Sequence, residues 1–398
     1  MKKKTSLKFV SGVMAIGAAA FALAACGGSS TGTTTATTSA ESTASTAAET
    51  TAASTEASSG KTRTITDMLG RTVEIPETIE KADCQDSSTR MMVYAGAIDK
   101  VAGCAELVQS GGGSDATFKI MPYGYLNREY LKNCVATTSG WPKFEKYMEE
   151  TVKLDPDVIL KFNADAAECD ELAEKTGKPV VALKASNFLN EDFQQTLTLL
   201  GDIMDTEEKA EKTVNAVKGY IEDLNNRTKD IPDSEKPTVY TGALSFKGFN
   251  GFDGTSANFP PFMAVNAVNV VDETGEKGNM IIDTEKVAVW DPDYIFLNTE
   301  GLSLVNEDYK TNAAFYDNLS AVKNDNVYTI CPFNAYATNM EIAIADAYFV
   351  GKTIYPDKFS DIDINAKADE IYEAIVGDKY QRVLDSEGHS FRKIKIGE

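Results

Sequence analysis

The sequence predicts an α/β chain of two Rossmann-like lobes with mainly parallel sheets, joined by one long helix. Three observations predict it. First, one motif occurs twice: Glu149 stands seven positions before Pro156-Asp157, and Glu285 seven before Pro292-Asp293. An apolar triplet follows each, Val158-Ile159-Leu160 and Tyr294-Ile295-Phe296. A short helix ended by proline, then a run apolar on both faces, reads as a helix feeding a buried parallel strand. The copies lie 136 residues apart, a spacing that suits two lobes of similar build. Second, Ala210, Val214, Val217, Ile221 and Leu224 recur at alternating steps of four and three, one apolar face of a helix over 206–227. Third, the 338 residues from 61 to 398 exceed the length at which one core usually divides.

Taken in order, the chain opens with Lys2, Lys3 and Lys4, an apolar run from Phe9 to Ala22, and Leu23-Ala24-Ala25-Cys26. A positive start, a short apolar segment and small residues before a cut make a secretory signal over 1–25. Cysteine directly after the cut resembles the lipobox of bacterial lipoproteins, so Cys26 is the expected lipidation site. Two acyl chains suffice to hold a protein at a bilayer. Residues 27–60 are almost entirely Ser, Thr, Ala and Gly, with Glu41, Glu49 and Glu56 their only charges. Such a segment buries too little to offset its chain entropy, and 26–60 is read as a disordered tether.

A first lobe is expected over 61–205, the linking helix over 206–230 and a second lobe over 231–398. In the first lobe, Ala166–Thr176 reads as a helix with Gly177 as its C-cap, and Val180-Val181-Ala182-Leu183 as a strand. Thr206 is the expected N-cap of the linking helix, with Glu207 and Glu208 in its first turn. Val239-Tyr240-Thr241-Gly242 opens the second lobe after Lys236-Pro237.

Charge and composition narrow the function classes. The formal net charge is −21, and −25 once the four lysines of residues 1–25 are removed. That opposes binding to nucleic acid or to an anionic membrane surface. The single histidine, His389, opposes His-rich metal sites and Ser-His-Asp or Cys-His mechanisms, and it reads as an exposed residue of a polar tail. Cys84, Cys104, Cys134, Cys169 and Cys331 show no metal-ligand spacing. Cys84 and Cys104 end two short apolar runs that fit neighbouring strands, where either a bridge or two buried thiols would serve.

In α/β lobes ligands sit at the carboxyl ends of the strands, which places a ligand cleft between the two lobes. Asp86-Ser87-Ser88-Thr89-Arg90 follows the first strand and starts a helix over 89–95, so Ser87, Ser88 and Arg90 are candidates to hold an oxygen anion. From the first lobe, Tyr123, Trp141 and Lys143 add aromatic and basic groups. The long segment 246–259 offers Phe246, Lys247, Thr255, Ser256 and Phe259, and the segment 332–339 offers Phe333, Asn334 and Tyr336.

Thr66-Asp67-Met68-Leu69-Gly70-Arg71-Thr72-Val73-Glu74-Ile75-Pro76 closely resembles the opening of class III solute-binding proteins. These serve ABC importers for siderophores, haem and cobalamin. The paired Glu-x6-Pro-Asp elements and the single linking helix resemble that family too, and the resemblance runs from 64 to 375. It implies an extracytoplasmic, lipid-anchored monomer that hands a small ligand to permease subunits, with no cofactor and no catalysis. It also implies that Glu149 and Glu285 meet permease arginines, one from each lobe. The cleft segments resemble a subgroup associated with iron compounds, some of whose members take molybdate or tungstate. A ferric siderophore-like chelate would want the cations Arg90, Lys143 and Lys247, whereas a tetrahedral oxyanion would want the hydroxyls of Ser87, Ser88, Thr255 and Ser256. Cobalamin would want aromatic walls of low charge. A surface enzyme such as a glycosidase is the remote alternative, and no motif places two carboxylates on adjacent strand ends.

Overall fold

The computed structural model describes residues 61–398, so the signal segment, Cys26 and the tether lie outside the described residues. The first ordered unit is a hairpin, β1 (Thr62–Thr66) with β2 (Thr72–Pro76). Asp67 closes its turn: Oδ1 accepts from the Leu69 and Arg71 amides at 3.0 Å, and Oδ2 from the Arg71 side chain. Oδ2 also accepts the Ala182 amide at 3.1 Å, tying the hairpin to the first lobe.

That lobe holds a five-stranded parallel sheet in the order β5-β4-β3-β6-β7. The strands are β3 (Ala82–Cys84), β4 (Val101–Ala105), β5 (Val135–Thr138), β6 (Val158–Phe162) and β7 (Val180–Leu183). β6 is buried at every position, which is why it reads as a continuous apolar run. The second lobe is mixed, in the order β10-β8-β12-β13-β14, with β14 antiparallel. Its strands are β8 (Thr238–Gly242), β10 (Val268–Asn269), β12 (Tyr294–Asn298), β13 (Val327–Ile330) and β14 (Arg392–Lys393); β9 (Gly254–Ala257) and β11 (Gly278–Ile281) form a separate antiparallel ribbon.

The Pro-Asp motif has a clear structural reason. Its helices, Met148–Leu154 and Thr284–Trp290, both end on an aspartate in the left-handed region, Asp155 at φ 51° and Asp291 at φ 45°. Asp157 Oδ2 then accepts the Glu80 and Lys81 amides, both at 2.8 Å, at the entry to β3. Asp293 Oδ2 accepts the Thr238 amide and hydroxyl, both at 2.8 Å, at the entry to β8. Each aspartate satisfies backbone donors that the sheet leaves open and sets the register of the strand beside its own.

The linking helix spans Glu207–Thr228 and buries Ala210, Val214, Val217 and Leu224. It lies so close to helix Glu191–Met204 that a Cβ at Gly201 would come within 2.8 Å of the Ala210 Cβ. Thr206 does not cap it: at φ −126° its hydroxyl is buried with no protein partner. Met92, Leu160 and Leu197 of the first lobe share one continuous core with Phe262, Phe296 and Tyr348 of the second.

Of the two states left open for Cys84 and Cys104, the structure has the free one: the five cysteines from Cys84 to Cys331 are buried free thiols, although Cys84 and Cys104 are register partners on β3 and β4. Two expectations are corrected. His389 is half-buried, because the tail folds back to add β14 to the sheet; its Nδ1 lies 2.8 Å from Thr299 Oγ1, and burial lowers its pKa. The stretch 246–259 is not one long loop, since β9 occupies its second half.

Candidate functional site

Two cavities line the groove between the lobes. The first, about 440 Å³, lies between the ends of β6 and β7 (Phe162, Asn163, Lys184, Ser186) and the segment Ala337, Thr338 and Met340, with Arg90 beneath. The second, about 520 Å³, faces Asn187 and Asn190 across to Ser256, Phe259, Lys277 and Phe333. Ser186 and Thr338 line both, so the two are adjoining parts of one cleft. Their sizes fall within the usual range of small-molecule sites. Phe259 and Phe333 pack at 5.6 Å in its floor, while asparagines, serines and lysines form its walls. No lining residue of either cavity is Asp or Glu, in a chain with 60 of them.

Arg90 organises the contact between lobes. It belongs to helix Ser88–Tyr94 and is 2% exposed. Its Nε donates to Asn339 Oδ1 at 3.1 Å, and Nη2 reaches the carbonyls of Ala335, Tyr336 and Ala337 at 2.8, 2.7 and 3.3 Å. Tyr336 and Ala337 both have positive φ, 49° and 69°, and this consecutive left-handed pair turns successive carbonyls toward one guanidinium. The Tyr123 ring stacks beneath it at 4.5 Å. Asn339 Nδ2 returns to the Ile120 carbonyl at 3.0 Å, and the Tyr336 hydroxyl donates to the Asp86 carbonyl at 2.6 Å. Behind this contact Tyr94 bonds the buried Glu341 carboxyl, whose pKa is raised chiefly by burial. Asp86 in turn pairs with Lys161 of β6.

The sequence-derived candidates divide into groups. Arg90 lines the first cavity, and Ser256, Phe259, Phe333 and Asn334 line the second. Ser87, Ser88 and Thr255 line neither. Ser88 Oγ is spent on the Gln85 carbonyl at 2.6 Å, and Thr255 Oγ1 on the Thr241 carbonyl at 2.6 Å. Ser87 is buried at the start of its helix. Of the four hydroxyls expected to cradle an oxyanion, only Ser256 therefore lines the cleft. Tyr123 is also buried, serving Arg90. Tyr336 is half-buried beneath Phe144, stacked at 6.1 Å, and Phe246 packs half-buried against the core. Trp141 is 52% exposed; Lys143, 3.6 Å from Glu145, and Lys247 are exposed as well, and none of the three lines the cavities.

Sequence reasoning missed Lys184, Ser186, Asn187, Asn190 and Lys277. The first four directly follow β7, so the strand-end rule already pointed to them. Lys277 comes from the turn before β11, a ribbon with no sequence signal.

Glu149 and Glu285 are exposed, each the second residue of its seven-residue helix. The two copies of the motif thus carry one surface carboxylate per lobe in equivalent places. Among the described residues no helix is long and apolar enough to cross a membrane.

Comparison with known proteins agrees with this architecture. The molybdate-binding protein MolA of Haemophilus influenzae is 21% identical over 330 residues, covering 80% of this chain and 92% of MolA. A solved periplasmic solute-binding protein from Veillonella parvula superposes with a TM-score of 0.65 at 23% identity, covering 85% of this chain and 98% of that one. MolA bound to molybdate superposes with a TM-score of 0.60 at 19% identity, covering 80% and 99%. These are substrate-binding proteins of the class III fold, not enzymes. The profile of the periplasmic binding protein family matches residues 105–332, from the end of β4 to just past β13, and this chain belongs to that family.

Proposed function

We propose that this solute-binding protein of an ABC transporter is a lipoprotein anchored through Cys26 that captures an anionic iron complex, a ferric siderophore-like chelate, and delivers it to its permease. The observation that carries the reading is the cleft itself. It has room for a chelate, aromatic rings in its floor, amides, hydroxyls and lysines in its walls, and no carboxylate among its lining residues. In so acidic a chain, such a lining favours a ligand that brings its own negative charge. Delivery rests on Glu149 and Glu285, which would meet cationic groups of the permease, one from each lobe.

A second reading is a molybdate or tungstate oxyanion, favoured by the relative named for molybdate. Of the four hydroxyls that would have supported it, only Ser256 lines the cleft, which leaves the iron complex ahead. Titration calorimetry with ferric chelates and with tungstate separates the two. Saturable heat from a chelate alone supports the iron reading, and heat from tungstate alone replaces it.

A further inference from the structure

The β1–β2 hairpin has two outer edges, and only one of them is guarded. Its register sets Lys61 opposite Glu77 and Asp67 opposite Arg71. Both pairs are bonded: the Glu77 amide donates to the Lys61 carbonyl at 2.9 Å, and the Asp67 amide to the Arg71 carbonyl at 3.0 Å. Bonded and non-bonded pairs alternate along an antiparallel ladder. Arg63 and Ile65 therefore bond to β2, while Thr62, Thr64 and Thr66 turn their N–H and C=O groups outward. Among the described residues no strand pairs with that side of β1. The same alternation turns Thr72, Glu74 and Pro76 to the outer edge of β2, where a carboxylate and a residue without an N–H discourage further pairing. The edge of β1 carries neither device. Its single charge, Arg63, is drawn off to Asp202, with Nη1 2.9 Å from Oδ2 and Nη2 2.6 Å from the carbonyl.

The unguarded strand lines a groove of about 990 Å³, together with Gln194, Gln195 and Thr198 of helix Glu191–Met204 and Lys218 of the linking helix. This groove shares no lining residue with the two cleft cavities. A strand laid about 4.8 Å from β1 would occupy it. We infer that β1 pairs antiparallel with β1 of a second copy of this chain, about a two-fold axis at Thr64, to make one continuous four-stranded sheet. The reason is self-complementarity. About that axis Thr64 faces Thr64 of the second copy and Thr62 faces its Thr66, so every outward donor of one copy meets an outward acceptor of the other. Threonine pairs then line the exposed face, and Arg63 falls opposite Ile65, so no like charges meet. The run is β-branched apart from Arg63 and holds no proline or lysine to oppose pairing. The family resemblance implies a monomer, and this edge argues for a reversible pair instead. A five-residue strand buries little area, so the pair is weak and depends on concentration.

The test uses the mature chain carrying Cys26→Ser, which keeps it unlipidated and in solution. Sedimentation velocity over a range of concentrations should show a monomer–dimer equilibrium. Thr64→Pro deletes one outward N–H and leaves the β1–β2 bonds in place, so the dissociation constant should rise at least about tenfold. Single cysteines give a readout that does not depend on how well proline is accommodated. Thr64→Cys lies on the axis and should yield a covalent dimer with a small-molecule disulfide as oxidant, which is itself reduced to two thiols. Thr72→Cys, on the guarded edge, should stay monomeric under the same treatment. The native thiols from Cys84 to Cys331 are buried, which keeps the background low. A monomer at every concentration, with no crosslink through Thr64→Cys, overturns the assignment. A dimer that ignores Thr64→Pro and crosslinks through Thr72→Cys also overturns it, because the contact then lies elsewhere. Slow hydrogen exchange at the Thr62, Thr64 and Thr66 amides of a monomer would give the edge to the chain's own N-terminal segment, and the second copy would lose it.

Discussion

Two buried cations at the strand ends of the first lobe have been given opposite surroundings. Lys161, near the end of β6, is 7% exposed and paired with Asp86, itself 13% exposed. Arg90, a few residues past β3, is more deeply buried and has carbonyls, an amide and an aromatic ring, but no carboxylate. The side chains differ to match. An ammonium is a strongly hydrated point charge that needs a counter-ion when dried, while a guanidinium spreads its charge over a plane that neutral oxygens and a ring face can partly satisfy. Where the charge belongs to the scaffold, the fold supplies the anion. Where it borders the cleft, the fold supplies only orientation.

The largest expected effect comes from breaking the satisfied pair. Asp86→Ala leaves Lys161 buried and uncompensated, and should cost about 3–5 kcal/mol of unfolding free energy. Chemical denaturation checks this. The paired change Asp86→Leu with Lys161→Met should recover most of the loss, since removing both charges removes the desolvation cost too. Were Asp86→Ala to cost no more than an ordinary surface substitution, Lys161 would have to be reaching water, and the contrast with Arg90 would disappear.

A smaller effect sharpens the other half of the contrast. Glu341 is fully buried, with Oε1 unpartnered and Oε2 bonded to Tyr94. Burial is the main cause of its raised pKa; the Tyr94 bond and the Arg90 charge oppose it. A carboxyl whose pKa is higher folded than unfolded binds its proton more tightly in the native state. Its contribution to stability is complete below about pH 4.3 and is lost as pH rises through the folded-state value. Glu341→Gln keeps an oxygen for Tyr94 and removes the titration. Thermal melts should therefore lose part of their pH dependence above pH 4, with a neutral-pH melting temperature equal to or above wild type. A drop at neutral pH would identify Glu341 as the ionised partner of Arg90, and the cleft would no longer hold an unanswered charge.

Much of the scaffold was legible because it is written in local patterns. The helix Ala166–Thr176 with its Gly177 cap, the strand Val180–Leu183 and the face of the linking helix follow from periodicity and capping alone. The Pro-Asp repeat was visible as well, although its reason, a carboxylate closing the entry of the neighbouring strand, appears only in three dimensions. The cleft was less legible, since residue type does not say which way a side chain points. Ser88 and Thr255 look like ligand donors in sequence, yet both hydroxyls are consumed by nearby carbonyls. Arg90 looked like a free cation and is half committed to the opposite lobe, a contact across 245 residues or more that no local pattern carries. Lys277 depends on a ribbon whose two strands are separated by a helix and a further strand.

The smallest expected effect on the fold belongs to carboxylates that have no buried partner at all. Glu149 and Glu285 lie in solvent at the second position of matching helices, so their charge is already screened by water. Glu149→Gln and Glu285→Gln, singly or together, should leave both the melting temperature and the calorimetric affinity at wild-type values. Ligand uptake by cells carrying the double variant should fall to background, and each single variant should fall between, because each lobe carries half of the contact. Restored uptake on exchanging charge with a permease arginine would place the partner. Full uptake by the double variant would reduce both residues to ordinary surface charge, and the repeat would then be explained by Asp157 and Asp293 alone, whose hold on the β3 and β8 entries requires no partner outside the chain.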